Sequence, residues 1–188
     1  EVDRIHQEDF CQALSVPPDR KYSSDGGPIA RDCVALLRRA GNAESNVALF
    51  VEMLLFNYVV GATDAHAKNY SVLHLANDET VLAPMYDVAS ALPYIPRLGN
   101  PWRSAMSIGG ENRIGRLHRS HLVKFAESVS LPAEGCCGLA GEVAQRVLDT
   151  EESVFNEEAG VPGMAELRER LEKPLRNNCE RLLASLGD

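Results

Sequence analysis

One stretch of the chain constrains the fold more than any other, because it is apolar around most of a helix. Between residues 43 and 59 the apolar positions follow helical spacing but spread well beyond one face; they are Val47, Phe50, Val51, Leu54, Leu55, Tyr58 and Val59. A helix of this kind has to be surrounded by other elements. The sequence therefore predicts a buried central helix around which the rest of the chain packs.

The remaining pattern predicts a mainly α fold with one embedded β-hairpin. Residues 7–9 precede a short apolar segment and are predicted to form the first turn of a short helix. Two β-rich runs, residues 70–76 and 80–83, flank an Asn-Asp turn and predict the hairpin. Residues 93–116, rich in Gly and Pro, predict an irregular loop. Further helices are predicted at residues 29–40, 120–130, 133–156 and 164–186.

Length and charge exclude several classes of protein. The chain has 188 residues, the size of one domain or of one lobe of a larger protein. Acidic residues outnumber basic ones by 27 to 19, which disfavours a general nucleic-acid or anionic-membrane surface. No apolar run approaches the roughly 18 residues of a membrane span.

The cysteines indicate a cellular compartment, and the first residues indicate a fragment. Five cysteines without a C-x-x-C pair predict buried, reduced thiols in a cytoplasmic protein and disfavour a zinc site. The chain begins Glu1-Val2-Asp3, without an initiator Met. We therefore expect it to be a piece of a longer protein.

Candidate catalytic residues are concentrated directly after the central helix. Asp64, His66, Lys68 and Asn69 fall within six positions, between the predicted helix and the hairpin. A loop with only a structural role would rarely need all four. Asp87 lies at the far end of the hairpin.

A symmetric hairpin would bring two of these residues together. If the hairpin turns about Asp78, Asn69 and Asp87 are equidistant from the turn and face each other, with Cα atoms roughly 4.5–5.5 Å apart. An amide and a carboxylate at that distance can share Mg²⁺, which takes oxygen ligands and keeps waters and substrate phosphates for the rest. Asp64 would lie near the same cation with its carboxylate free to act as a general base.

These parts match the template of a phosphoryl-transfer site. In that template a catalytic-loop Asp accepts the hydroxyl proton, an Asn five residues later binds Mg²⁺, and a metal-binding Asp follows the next hairpin. The Lys68 ammonium could neutralise charge on the transferring phosphoryl group. The D-x-x-x-x-N spacing is common by chance. The assignment therefore depends on its place between a buried helix and an Asp-terminated hairpin.

The same residues resemble a known family. The stretch from Gly61 to Asn69, the sequence Met85-Tyr86-Asp87-Val88, and two upstream motifs at residues 7–12 and 21–28 resemble the C-terminal part of HipA-type serine/threonine kinases. These kinases are the toxins of bacterial HipA–HipB toxin–antitoxin modules. Recognisable motifs extend to about residue 93, and the similarity continues more loosely, as helices, to the end. The resemblance implies that residues 1–188 are a kinase-like C-terminal lobe whose N-terminal lobe is absent from this chain.

The resemblance implies a role for each matching residue. Asp64 would accept the proton, Lys68 would be the second catalytic residue, and Asn69 and Asp87 would bind Mg²⁺. Contacts to ATP and the metal would come from His66, Ala67, Lys68, Asn69, Tyr86 and Asp87. Residues 7–9 would lie near the nucleotide.

The resemblance also implies partners and a cellular role. A protein substrate in the translation apparatus is expected, together with a HipB-like antitoxin, and DNA would be reached only through that antitoxin. No membrane partner is implied, and the role would be in bacterial persistence. Nothing in the chain matches the family's N-terminal lobe, with its phosphate-covering loop and nucleotide-positioning Lys. We therefore expect the 188 residues alone to have weak or no kinase activity.

The sequence departs at two places from ordinary eukaryotic-type kinases. Ala62-Thr63 precedes the Asp where those kinases have His-Arg, and Met-Tyr-Asp-Val replaces Asp-Phe-Gly; HipA-type proteins share both departures.

Other interpretations of the chain stay open. The chain could instead be a non-catalytic lobe that binds an antitoxin-like DNA-binding partner, or a metal-dependent phosphohydrolase using Asp64, His66 and Asp87. As purely structural residues, the Asp and Asn residues would be caps or turn residues, His66 a hydrogen-bonding side chain and Lys68 a solvated charge.

Overall fold

A computed structural model of the chain describes residues 4–76, 79–94 and 101–187. The elements of the first half are β1 (His6–Asp9), α1 (Phe10–Ala13), α2 (Ala30–Leu37), α3 (Ala43–Val59), β2 (Ser71–His74) and β3 (Thr80–Leu82). Those of the second half are β4 (Arg103–Ile108), β5 (Glu111–Arg113), α4 (Arg119–Ser128), α5 (Ala133–Glu157) and α6 (Met164–Leu186). The strands form two antiparallel sheets, β1-β2-β3 and β4-β5. The predicted mainly α fold is confirmed.

Helix α3 is the predicted central helix. Most of its residues are buried, with Phe50 fully enclosed and Leu54 only 2% exposed. The helix packs against α2, α5, α6 and β3. Each large apolar side chain buried in this way contributes about 1.5–3 kcal/mol. Because α3 is enclosed on several sides, the loop that follows it starts at a fixed place and stays largely buried: Ala62, Ala65 and Ala67 are 2%, 4% and 0% exposed.

Strands β2 and β3 form the predicted hairpin, but with a shifted centre. Leu73 pairs with Val81 in the antiparallel ladder, which centres the hairpin one residue before Asp78. The turn itself lies outside the described residues. With this register the ladder would not set Asn69 opposite Asp87, so the prediction of a symmetric turn about Asp78 is wrong.

Contacts to α3 explain the register. The buried Asn46 donates its side-chain amide to the Thr80 carbonyl at 3.0 Å and accepts from the Leu82 amide at 2.8 Å. These groups belong to the edge strand β3, where buried backbone groups need a partner. The position of β3 along α3 therefore decides the pairing, and the Asn-Asp dipeptide does not.

The helical turn predicted for residues 7–9 is mostly a strand. Gln7 and Glu8 belong to β1 and pair with Leu73 and Val72 of β2, so the hairpin becomes a three-stranded sheet. Only Asp9 contributes to α1, as its N-cap: its carboxylate accepts from the Gln12 amide at 2.9 Å. The open edge of β2 supplies backbone partners that a local helix pattern cannot reveal.

A second hairpin replaces much of the loop predicted for residues 93–116, of which residues 95–100 lie outside the description. Gly109 and Gly110 join β4 to β5 with φ angles of 58° and 90°. Two successive left-handed residues form the turns that match hairpin twist. A Cβ at Gly109 would also lie 1.9 Å from the His121 carbonyl oxygen. The Gly-Gly pair is thus a hairpin signal.

The helices of the second half agree with the sequence predictions. Helices α4, α5 and α6 begin and end within two residues of the predicted bounds. All five cysteines are buried and none forms a disulfide among the residues described. Within those same ranges, no helix is long and apolar enough to cross a membrane.

A buried carboxylate in β5 binds the two residues that follow it. Glu111 of β5 is 5% exposed and accepts hydrogen bonds from the Arg113 guanidinium at 2.6 and 2.9 Å. It also accepts from the backbone amides of Asn112 and Arg113. These bonds, those from the Arg113 side chain first, lower the pKa of Glu111 from its ordinary 4.5 to about 2. The ionised form therefore favours the folded hairpin.

We predict that Glu111→Gln lowers the free energy of unfolding by about 1–3 kcal/mol at neutral pH. Because the folded-state pKa is depressed, the contribution is complete above the unfolded pKa and is lost as pH falls from 4.5 toward about 2. Urea unfolding of both proteins across this window should show the difference shrinking. Glu52→Gln, which breaks the exposed pair with Arg146, should change stability by less than about 1 kcal/mol. A difference that stays constant with pH would contradict the role of the carboxylate.

Candidate functional site

Contacts of Gly61 and Ala62 hold the start of the loop after α3, ahead of the first candidate catalytic residue, Asp64. Gly61 turns the chain with a φ of 71°, and a Cβ there would lie 2.5 Å from the Leu92 side chain. The Ala62 amide donates to the Asn57 carbonyl at 2.8 Å, and the Ala91 amide donates to the Gly61 carbonyl at 2.9 Å. The loop therefore starts from fixed positions on α3 and on the segment that follows β3.

Asn69 joins the predicted site residues. It ends the short 3₁₀ turn Ala67–Asn69, just before β2, and is 7% exposed. One hydrogen of its side-chain amide is donated to the Asp64 carbonyl at 3.1 Å and the other to Asp87 Oδ2, also at 3.1 Å. The structure thus brings Asp64, Asn69 and Asp87 together, although not by the register that the sequence suggested.

Asp87 reaches this point through an unusual backbone conformation. Its φ is 55°, in the left-handed region, which costs roughly 1–2 kcal/mol for a residue with a side chain and which Asp tolerates better than most. Beyond the ladder, the chain from residue 83 to residue 89 is irregular. The bend at Asp87 turns its carboxylate toward Asn69, and the hydrogen bond offsets part of the backbone cost.

The oxygens of Asn69 and Asp87 suit Mg²⁺ better than they suit a metal ion whose ligands all come from the protein. With both amide hydrogens committed, the carbonyl oxygen is the atom of the Asn69 side chain left to bind a cation. In the described part of the chain, no group of three or more His, Cys, Asp or Glu side chains could hold a metal ion. Mg²⁺ is often bound by one or two protein oxygens plus substrate phosphates and waters. Asn69 and Asp87 are therefore the residues that could hold it.

Asp64 carries an exposed carboxylate on the loop that Asn69 holds. Its side chain is 65% exposed. Tyr22 donates its hydroxyl to Asp64 Oδ1 at 2.7 Å, and this bond is the main reason why the pKa of Tyr22 is raised. Tyr22 had no predicted role, because its contact joins positions 42 residues apart. Its place in the family-like motif at residues 21–28 was the one available signal.

His66 lies beneath these residues. It is 4% exposed, and its ring meets the Tyr22 ring edge-on with centroids 5.0 Å apart. Its Nε2 is 3.9 Å from Asp64 Oδ2, and its Nδ1 has no hydrogen-bond partner among the described residues. Burial lowers the pKa of His66 against the opposing effect of the Asp64 charge. The imidazole is therefore neutral near neutral pH.

Lys68 and Tyr86 form a neighbouring polar group. Lys68 Nζ binds Asp9 Oδ2 at 2.8 Å, and this hydrogen bond raises the pKa of the ammonium. The Tyr86 hydroxyl donates to the Lys68 carbonyl at 2.7 Å and lies 2.6 Å from Ser71 Oγ. Asp9 therefore lies beside Lys68, whereas a place near the nucleotide for residues 7–9 stays a prediction. Ala67, predicted to contact ATP, has a fully buried side chain.

Two kinds of sequence comparison identify relatives. The profile of a family described as "HipA-like C-terminal domain" matches residues 1–151. Two Sinorhizobium fredii proteins, provisionally named kinases Y4mE and Y4dM, are 36% and 26% identical over 88% and 76% of this chain. The chain spans only 40% and 33% of their lengths.

A comparison of structures gives the same fold. The chain superposes on a HipA chain from a solved complex of HipA, HipB and operator DNA of a Shewanella oneidensis toxin–antitoxin system. The TM-score is 0.87 at 23% sequence identity, over 98% of this chain and 45% of that chain. Together with the profile match over most of its length, this shows that the chain belongs to the family of HipA-like C-terminal domains.

Proposed function

We propose that this chain is the catalytic lobe of a kinase that transfers the γ-phosphoryl group of ATP to a serine or threonine hydroxyl of a protein. One observation carries the proposal: a single Asn69 amide holds the Asp64 backbone and the Asp87 carboxylate at 3.1 Å each. A general base and a metal-binding pair must stand side by side in such a site. The kinase names of the relatives support the same reaction class.

Asp64 is the proposed proton acceptor. Tyr22 occupies its Oδ1, whereas Oδ2, 3.9 Å from His66 Nε2, accepts no hydrogen bond from the described residues. As the substrate oxygen bonds to the γ-phosphorus, the bond from that phosphorus to its bridging oxygen breaks and ADP leaves. The hydroxyl proton passes to Asp64. A positioned base of this kind typically accounts for about 10²–10⁴-fold in rate.

Asn69 and Asp87 are the proposed Mg²⁺ ligands. Their oxygens are of the hard type that this ion prefers. When bound, Mg²⁺ would neutralise negative charge on the phosphates. Lys68 precedes Asn69 directly and is one-third exposed, so we assign its ammonium to the phosphates as well. Its ion pair with Asp9 holds it at the rim of the site.

The whole protein is proposed to be the toxin of a toxin–antitoxin pair. The support is the likeness in fold to a HipA solved together with HipB and operator DNA. A HipB-like antitoxin would then bind this protein and also bind the DNA. A protein substrate in the translation apparatus belongs to the same proposal.

Asp64→Asn should lower transfer of radiolabel from ATP to protein by about 10²–10⁴-fold, because the amide cannot accept the proton. The assay uses the protein as its gene encodes it, with casein as an added acceptor. Asp149→Asn, an exposed carboxylate of α5, should leave the rate unchanged. Equal labelling by wild type and Asp64→Asn would exclude this base. Label found only in inorganic phosphate would favour a phosphohydrolase, and no turnover by any variant would favour a binding lobe.

Asp87→Asn should raise the Mg²⁺ concentration needed for half-maximal activity by at least about tenfold. The amide keeps the shape of the side chain and can still bind Asn69, but it loses the charge that attracts the ion. The check is a Mg²⁺ titration at saturating ATP, with Asp19→Asn as the exposed control. An unchanged Mg²⁺ requirement would show that Asp87 is not a ligand.

Expression of the protein should arrest growth, and co-expression of its antitoxin should relieve the arrest. We expect a DNA-binding protein encoded in the adjacent open reading frame to co-purify with this protein in a fixed ratio. Growth that is unaffected by expression would contradict the assignment as a toxin without touching the kinase chemistry.

A further inference from the structure

Two consecutive residues tie one segment to the candidate site from two sides. Tyr22 donates its hydroxyl to Asp64 Oδ1 at 2.7 Å, and Ser23 donates its hydroxyl to the Ala105 carbonyl of β4 at 2.7 Å. The Ala105 amide in turn donates to the Thr63 carbonyl at 2.9 Å. Thr63 and Asp64 are neighbours, so these three hydrogen bonds link residues 22–23, 63–64 and 105 in a closed ring that includes the Asp64 carboxylate.

We propose that Tyr22 is a positioning residue for Asp64, a role that rests on the proposed kinase function. The Tyr22 hydroxyl holds Oδ1 and so fixes the rotation of the carboxylate. Oδ2 is then the oxygen left to meet the substrate hydroxyl. Tyr22 itself takes no part in proton transfer.

An exposed Asp needs such a partner. Asp64 is 65% exposed, so little packing restricts its side-chain torsions. Its backbone is fixed, because its carbonyl accepts from the His66 amide at 2.8 Å and from Asn69 Nδ2 at 3.1 Å. Among the described residues, the hydroxyl of Tyr22 is the one hydrogen-bond donor found on the carboxylate. Small errors in the position of a reacting group can cost about 100-fold in rate.

Tyr22 is itself well placed to act as a fixed donor. The buried His66 ring supports one side of the Tyr22 ring, edge-on at 5.0 Å, and Lys21 Nζ lies 4.9 Å from its centroid. The Tyr22 carbonyl accepts from the Asp25 and Gly27 amides at 3.0 and 2.9 Å. Ring and backbone are thus both anchored before the hydroxyl reaches Asp64.

Gly27 makes this backbone geometry possible. A Cβ at Gly27 would lie 2.0 Å from the Arg20 carbonyl oxygen and 2.7 Å from that of Tyr22. Those atoms are backbone and have little freedom to move away. Gly27 is needed here because only a residue without a side chain can approach the Arg20 and Tyr22 carbonyls so closely. This approach lets residues 21–27 form a tight turn.

The test is a double-mutant cycle of Tyr22→Phe and Asp64→Asn in the protein as its gene encodes it. Initial rates of label transfer from ATP to casein are measured across ATP concentrations. We expect Tyr22→Phe to lower kcat by about 5- to 30-fold, with the KM for ATP changed less than about twofold. In the Asp64→Asn background, Tyr22→Phe should change the remaining slow rate by less than about twofold, because a residue that acts through Asp64 has nothing left to position.

Two variants separate positioning from a structural role. Ser23→Ala removes the other anchor of the same segment and should cost clearly less than Tyr22→Phe. Tyr94→Phe removes the hydroxyl of an exposed tyrosine outside the site and should have no effect. If Ser23→Ala costs as much as Tyr22→Phe, or if the Tyr22→Phe loss persists undiminished in the Asp64→Asn background, Tyr22 only holds the segment.

Failure of this inference is distinct from failure of the proposed function. If Asp64→Asn retains full activity, the proposed base is wrong, whatever Tyr22 does. If Asp64→Asn is impaired as expected and Tyr22→Phe matches wild type, the kinase proposal stands and the positioning role is overturned. Urea midpoints of all variants should agree with wild type, so that a folding defect is not mistaken for a loss of rate.

Discussion

Asn69 uses the two hydrogens of one side-chain amide to hold two distant stretches of chain. One hydrogen bond reaches the backbone of the loop after α3, and the other reaches the carboxylate of Asp87, 18 residues further on. Because Asn69 is 7% exposed, water competes little for either bond. Losing the amide would leave Asp87 in a left-handed conformation without the contact that offsets its cost. The arrangement of the candidate site therefore depends on this one side chain.

The scaffold beneath Asn69 is fixed by polar groups buried at the end of α3. Asn57 donates its amide to the Tyr70 hydroxyl at 2.9 Å, which fixes the residue between Asn69 and β2. Asn178 of α6 donates to the carbonyls of Tyr58 and Val59 at 3.1 and 2.6 Å. These carbonyls lie in the last turn of α3, beyond the regular helical ladder, and the Tyr58 carbonyl also accepts from the Gly61 amide at 3.2 Å. The Asn178 side chain thus binds the end of the helix where the loop of the candidate site begins.

Helical periodicity was sufficient to predict much of the fold. The wide apolar pattern of α3 and the long patterns of α5 and α6 determine those helices locally, and their bounds agree with the structure. The sheets are different, because their partners are set by tertiary contacts. β1 forms on an edge that β2 provides, and Asn46 on α3 sets the position of β3. Neither contact leaves a signal in neighbouring residues.

The candidate site also has a part that local sequence predicts and a part that tertiary contacts decide. The spacing from Asp64 to Asn69 is local, so the sequence was enough to nominate both. Their approach to Asp87 was expected for the wrong reason, since an irregular segment and a positive φ produce it. Tyr22 was missed altogether. Its hydroxyl meets Asp64 only because the segment at residues 21–27 folds back over the loop, and no spacing rule covers a contact between positions 42 residues apart.

Asp64 and Asp87 both touch Asn69, yet through different atoms, and this difference supports different roles for them. Asn69 binds Asp64 through its backbone carbonyl, so the loop is held while the carboxylate stays free of the amide. It binds Asp87 through the carboxylate itself, so that group is held 3.1 Å from the Asn69 amide nitrogen. A base must exchange a proton and needs an uncommitted oxygen, whereas a metal ligand gains from being held still. The hydrogen-bond pattern of one asparagine thus favours Asp64 as the base and Asp87 as the ligand, and not the reverse.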